Sequence, residues 1–124
     1  MQVHFNLSHE ETWTIAQHAV ASIVPLRSRD TPCGIVTIVG GMHLGKAHVA
    51  TQAVGITDYI THEKSGLVVP PRDPAALASA IKRLRDEPKF TEEMGRAAAL
   101  FAAEQCSEAA TVAHFRERLN VWFG

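Results

Sequence analysis

The sequence predicts an α/β domain, with three or four parallel strands, helices on both faces and a helical C-terminal third. Three observations carry this. Short β-branched runs alternate with helical segments through the first part of the chain, the pattern of βαβ units around a parallel sheet. The last third reads as consecutive capped, amphipathic helices. The chain has 124 residues, the length of one domain with one modest core, and the whole span 1–124 is read as a single domain.

The elements follow in order. Val3–Asn6 is a short apolar run with strand character. Ser8 is a helix N-cap, and Glu11 three residues later completes a capping box. Trp13, Ala16 and Val20 recur at near-helical spacing, which predicts a helix over 9–19. Ala21–Leu26 is a second strand, ended by Pro25 and the polar loop RSRDTP. The run 34–44 is ambiguous: Ile35–Val39 has strand propensity, yet Ile35, Val39 and Met42 share a helical face and Gly45 suits a C-cap. Ala47–Thr51 reads as a third strand, Ser65–Gly66 as a turn and Leu67–Val69 as a fourth strand stopped by Pro70 and Pro71. Asp73 caps a helix with Pro74 at its first position, and Leu77, Ile81 and Leu84 form its apolar stripe. Thr91 opens the next helix, with Glu92 and Glu93 at the positive end of its dipole and a stripe of Met94, Ala97, Ala98 and Phe101. Ser107 caps a last helix whose apolar face is Val112, Phe115, Leu119 and Trp122.

Composition removes several function classes. Net charge is −1, so there is no basic field for nucleic acid or an anionic membrane. No apolar run approaches the roughly 18–20 residues that a membrane span needs. MQVHFNLSHEE has neither a basic n-region nor an apolar h-region. Cys33 and Cys106 make no CxxC pair and read as reduced thiols of a cytoplasmic protein. The seven histidines are scattered without zinc-ligand spacing, so no metal site is expected. Asp58 and Glu63 fall in surface loops, and Arg72 and Asp73 read as turn and cap residues.

The chemistry concentrates in 31–75. Gly34–Thr37 resembles the glycine-led start of a donor-binding helix. Met42, Leu44, Gly45 and Lys46 resemble an EAMALGKP segment. Val49–Thr51 with Gly55 resembles VVAT…GG…EIV, and Ser65–Leu77 resembles NGLLVPPGDPEALA. Together with the closing stretch MGRAAALFAAEQCSEAATVAHF, these motifs are similar to the C-terminal, nucleotide-sugar-binding domain of GT-B fold glycosyltransferases of the large retaining group 1 (GT4-like) family. The resemblance covers nearly the whole chain, favours a helix over 34–44, and implies that 1–124 is a single partial domain, half of a Rossmann-like fold.

That resemblance implies a nucleotide-diphosphate sugar as partner, transfer without a bound metal, no further cofactor, and a donor site around Cys33, Gly34, Ile35, Val36, Thr37 and Gly40. The physical logic is that a helix N-terminus offers free N–H groups and about half a positive charge to a diphosphate. Cys33 directly precedes that helix end but has no recognisable His or acid partner, so it is not read as a nucleophile. The family's two glutamates, for the ribose and the transferring sugar, fall at Gly40 and Pro32, which have no acceptor side chain. His43 and His48 stand where the family usually has alanine and valine. The family's basic pair and its acceptor domain would lie before this chain, so the expectation is a domain that is incomplete or degenerate and not catalytic alone. The alternative is a non-catalytic interaction or oligomerisation module. The missing neighbour strand would leave Val3–Asn6 as an open sheet edge, which predicts a homodimer or pairing with a separate N-terminal half.

Overall fold

The computed structural model describes residues 2–124. Three parallel strands, β1 (Ala21–Val24), β2 (Ala47–Thr51) and β3 (Leu67–Val69), form one sheet in the order β1-β2-β3. β1 and β2 pair from Ala21↔Ala47 to Val24↔Ala50, and β2 and β3 from Val49↔Leu67 to Thr51↔Val69. Six helices surround the sheet: α1 (His9–Gln17), α2 (Ile35–His43), α3 (Ile56–Tyr59), α4 (Pro74–Asp86), α5 (Pro88–Gln105) and α6 (Glu108–Phe123).

Every residue of β2 is buried, as a parallel strand covered on both faces should be. Its alternation divides the core. Ala47 and Val49 join Leu67, Val69, Leu84 and Met94 on the α4 side. Ala50 joins Ile38, Met42, Ile56, Ala98 and Ala102 on the side of α2 and α3. α5 contributes Met94 to the first cluster and Ala98 and Ala102 to the second. It passes between them at the amino end of β2, where Gly95 lies directly against the Gly45 carbonyl. The carboxyl ends of the strands are left to loops.

Local chemistry explains most boundaries. The capping box at α1 is complete: Ser8 N–H donates to Glu11 Oε2 at 2.8 Å and Glu11 N–H to Ser8 Oγ at 3.2 Å. The Ser8 backbone bond holds the Glu11 carboxyl below its ordinary range. The 34–44 run is α2. It ends in a Schellman arrangement, with Gly45 at φ 68° and Lys46 N–H donating to the Gly41 carbonyl at 3.0 Å. Asp73 Oδ1 accepts from Ala76 N–H at 2.8 Å, and Ser107 Oγ accepts from Ala110 N–H at 3.1 Å, as their cap roles require.

Three expectations are corrected, and one apolar face is found in solvent. Val3–Asn6 is not a strand: no neighbour pairs with it, and Asn6 at φ 54° turns the chain into α1. The sheet therefore has three strands, and its open edge on that side is β1. Thr91 does not open a helix. α5 starts at Pro88, whose ring ends α4 and suits a first helical position, while the buried Thr91 hydroxyl donates to the Leu84 carbonyl at 2.7 Å and pins α5 to α4. The short helix α3 occupies part of what reads as loop, and Asp58 lies on it. The stripe on α6 is not buried: no α6 residue is, and Phe115 and Trp122 are 59% and 66% exposed.

His48 is fully buried in β2, and neither ring nitrogen has a hydrogen-bond partner among the described residues. Burial pushes its pKa down to about 4. A Cβ on Gly41 would lie 2.5 Å from His48 Cε1, so the glycine makes room for the ring.

Two outcomes follow from this packing. The folded state holds His48 neutral while the unfolded chain takes up a proton near pH 6.5, so stability present above that pH is lost as pH falls toward 4. The loss should be about 2 kcal/mol between pH 7 and pH 5, read from urea midpoints, and should flatten in His48→Val. Gly41→Ala should destabilise by about 1–3 kcal/mol through overpacking, despite its helix propensity, and His48→Val should restore most of it in a double-mutant cycle.

Candidate functional site

Ligands of open parallel sheets bind beyond the carboxyl ends of the strands. Here that end is built by the loops 25–34, 52–55 and 70–73, tied to one another. Leu26 N–H donates to Thr51 Oγ1 at 3.0 Å, Val54 N–H to the Arg29 carbonyl at 2.8 Å, and Gln52 N–H to the Val69 carbonyl at 2.8 Å.

Gly34 starts α2 from this platform. Its φ is 78°, a left-handed conformation that costs other residues energy, and a Cβ there would sit 2.5 Å from Val24 Cγ1. Its carbonyl accepts from Ile38 N–H at 3.0 Å, and no side chain caps the helix. The amides of Ile35, Val36 and Thr37 therefore have no intrahelical acceptor. Ile35 packs its side chain into the core, whereas Val36 is 74% exposed and Thr37 and Cys33 are exposed. Val36 and Thr37 also line a cleft of about 350 Å³ between α1 and α2, with Leu7, Thr12 and Trp13 on the opposite wall.

The sequence-derived site residues do not all share this cleft. Val36 and Thr37 do, Gly34 shapes the turn below it, and Cys33 sits on the incoming loop. Gly40 lies under the Trp13 ring, which occupies the space a Cβ would need. A carboxylate at position 40 is incompatible with this placement of the ring. The Gly40–Gly41 pair is thus required by two aromatic side chains, Trp13 and His48, and its helix-propensity penalty is the consequence. Trp13 reads in sequence only as a helix-face residue, because the contact crosses 27 positions of chain.

Other polar residues have structural partners. Lys46 Nζ donates to the Gln17 carbonyl at the C-terminal end of α1, at 2.7 Å. Glu63 pairs with Arg83, whose hydrogen bond holds the Glu63 carboxyl below its ordinary value. Among the described residues no three His, Cys, Asp or Glu side chains converge as metal ligands, and no helix is long and apolar enough to cross a membrane.

Relatives in sequence show the family, and structural neighbours show the same fold. The family model "Glycosyl transferases group 1" matches residues 1–101. D-rhamnosyltransferase WbpZ of Pseudomonas aeruginosa is 36% identical over 97 residues, covering 76% of this chain and 25% of that protein. The alpha-D-kanosaminyltransferase of Streptomyces kanamyceticus is 33% identical over 101 residues, covering 82% of this chain and 25% of its own length. The chain thus spans about a quarter of the curated relatives it matches. Among solved structures, sucrose-phosphate synthase from Thermosynechococcus elongatus superposes with a TM-score of 0.78 at 24% identity, over 94% of this chain and 29% of that one. Anabaena HepE, solved with UDP and glucose, gives a TM-score of 0.73 at 23% identity, over 86% and 28% of the two chains. These two share the fold, and the family match extends over most of the sequence. The chain belongs to the group 1 glycosyl transferases.

Proposed function

We propose that this chain binds a nucleotide-diphosphate sugar as the donor-side part of a retaining glycosyl transfer, and that it does not perform the transfer alone. The observation that carries this is the first turn of α2. Its uncapped amides at Ile35, Val36 and Thr37 open beside a cleft whose far wall is Leu7, Thr12 and Trp13. The diphosphate lies against the amides, where the helix dipole favours negative charge. The nucleoside lies in the cleft, with the Trp13 ring available for stacking.

In transfer from such a donor, the bond between the anomeric carbon and the diphosphate oxygen breaks, and the departing diphosphate gains negative charge. Preorganised amides stabilise that charge without reorganising. The ribose has no carboxylate at position 40 to hold it, which weakens binding by tenfold or more. Sugar selection and acceptor binding belong to groups outside this chain.

A second reading rests on β1. β1 pairs only with β2, so its outer edge is unpaired. A groove of about 680 Å³ lined by Val20, Ala21, Ile23, Ile81 and Leu84 runs beside it. An open apolar edge in a parallel sheet suits an added strand. This edge replaces Val3–Asn6 as the seat of a homodimer or a separate N-terminal half. A monodisperse monomer by light scattering at high concentration would exclude self-pairing.

Calorimetric titration with UDP-, GDP- and ADP-sugars tests the donor reading. Binding of one class is expected, and Gly34→Val should abolish it, because the valine clashes with Val24 and closes the turn. Absence of heat at millimolar ligand, or unchanged binding in a folded Gly34→Val chain, would overturn it.

A further inference from the structure

We propose that Arg27 and Arg72 form an anion subsite at the carboxyl end of the sheet that takes a diphosphate group. Arg27 follows β1 and Arg72 follows β3, with β2 between them, yet both line one depression of about 620 Å³ whose other walls are Leu26 and Ser28. The tertiary fold thus gathers at one depression two arginines that are 45 positions apart in the chain.

Neither charge is neutralised within the fold. Among the described residues the ion pairs engage Arg83, Arg85 and Arg96, and none engages Arg27 or Arg72. The carboxylates nearest in sequence have other partners: Asp30 Oδ2 accepts from Ser28 Oγ at 3.3 Å, and Asp73 Oδ1 accepts from Ala76 N–H. Two cationic residues on one depression attract a multivalent anion, which can be shared between them. Planar guanidinium groups match phosphate oxygens in a bidentate way that a single ammonium does not.

The backbone adds an independent mark. Arg72 sits at φ 59°, a conformation that glycine adopts freely and a branched or long side chain does not. A strained non-glycine residue on a loop is a recurring feature of ligand sites. Here the strained residue is the one that brings its charge to the depression.

The depression adjoins the proposed donor turn. Leu26, one of its walls, has Cδ2 4.0 Å from the position a Cβ would take on Gly34. Identifying the anion as the donor's diphosphate rests on the donor reading above; the pairing of the two arginines does not.

The test titrates the intact chain by calorimetry with inorganic pyrophosphate, with UDP, GDP and ADP, and with the matching nucleosides, at two salt concentrations. The variants are Arg27→Gln and Arg72→Gly, the second of which relieves backbone strain and keeps the fold. Each should weaken pyrophosphate and the preferred nucleoside diphosphate about tenfold and lower the salt dependence, leaving nucleoside binding unchanged. Wild-type pyrophosphate affinity in both folded variants would overturn the subsite, as would an absence of pyrophosphate binding to the wild-type chain. Binding of pyrophosphate that depends on the arginines, with no nucleotide binding, would support the subsite and refute the donor reading. Nucleotide binding sensitive to Gly34→Val but not to either arginine would do the reverse.

Discussion

β2 is the constraint on which the rest of the structure depends. All five of its residues are buried, both its edges are paired, and both its faces are covered. A strand in that position exposes no polar backbone only if helices pack on each side and neighbours run parallel to it. α2 and α3 satisfy one face, α4 the other, and α5 closes the amino end by contributing to both clusters. With that end closed, the loops that leave the strands converge at the carboxyl end. The location of the candidate site is a consequence of covering one strand.

Close packing also accounts for the most unusual local sequence. Gly40 and Gly41 weaken a helix that other residues would favour. Their absence of side chains admits the Trp13 ring on one side of α2 and the His48 ring on the other. The buried imidazole is left without hydrogen bonds, a cost that the apolar packing around it offsets. Gly40, where the family resemblance leads one to expect a carboxylate, is thus one part of a tightly packed helix.

Charge at the site is distributed unevenly. The first turn of α2 offers amides and a dipole but no cationic side chain. The cations stand across the sheet end, on the loops after β1 and β3. Three of the other six arginines, Arg83, Arg85 and Arg96, are held in surface pairs, which contribute little to stability. The two loop arginines are distinguished by their shared depression. A polyanion is the class of ligand that this arrangement attracts.

Much of the fold was determined by local sequence. Ser8 with Glu11, Gly45, Asp73 with Pro74, and Ser107 set helix ends through bonds spanning at most a few residues, so they are legible without a structure. The runs at 21–24, 47–51 and 67–69 read as strands from their residue types, and each became one because it found a parallel partner. The motifs around Gly34 also marked the family from sequence. Tertiary structure decided what local pattern could not. Val3–Asn6 has strand propensity but no partner, and a strand exists only through its neighbours. Pro88 outweighed Thr91 because α4 and α5 share a single junction residue, Glu87. The α6 stripe has the period of a buried face and remains in solvent, since periodicity states which side is apolar and not whether anything covers it. Trp13 over Gly40, and Arg27 beside Arg72, join residues 27 and 45 positions apart. Only the stacking of α1 on α2 and the order of the three strands bring them together.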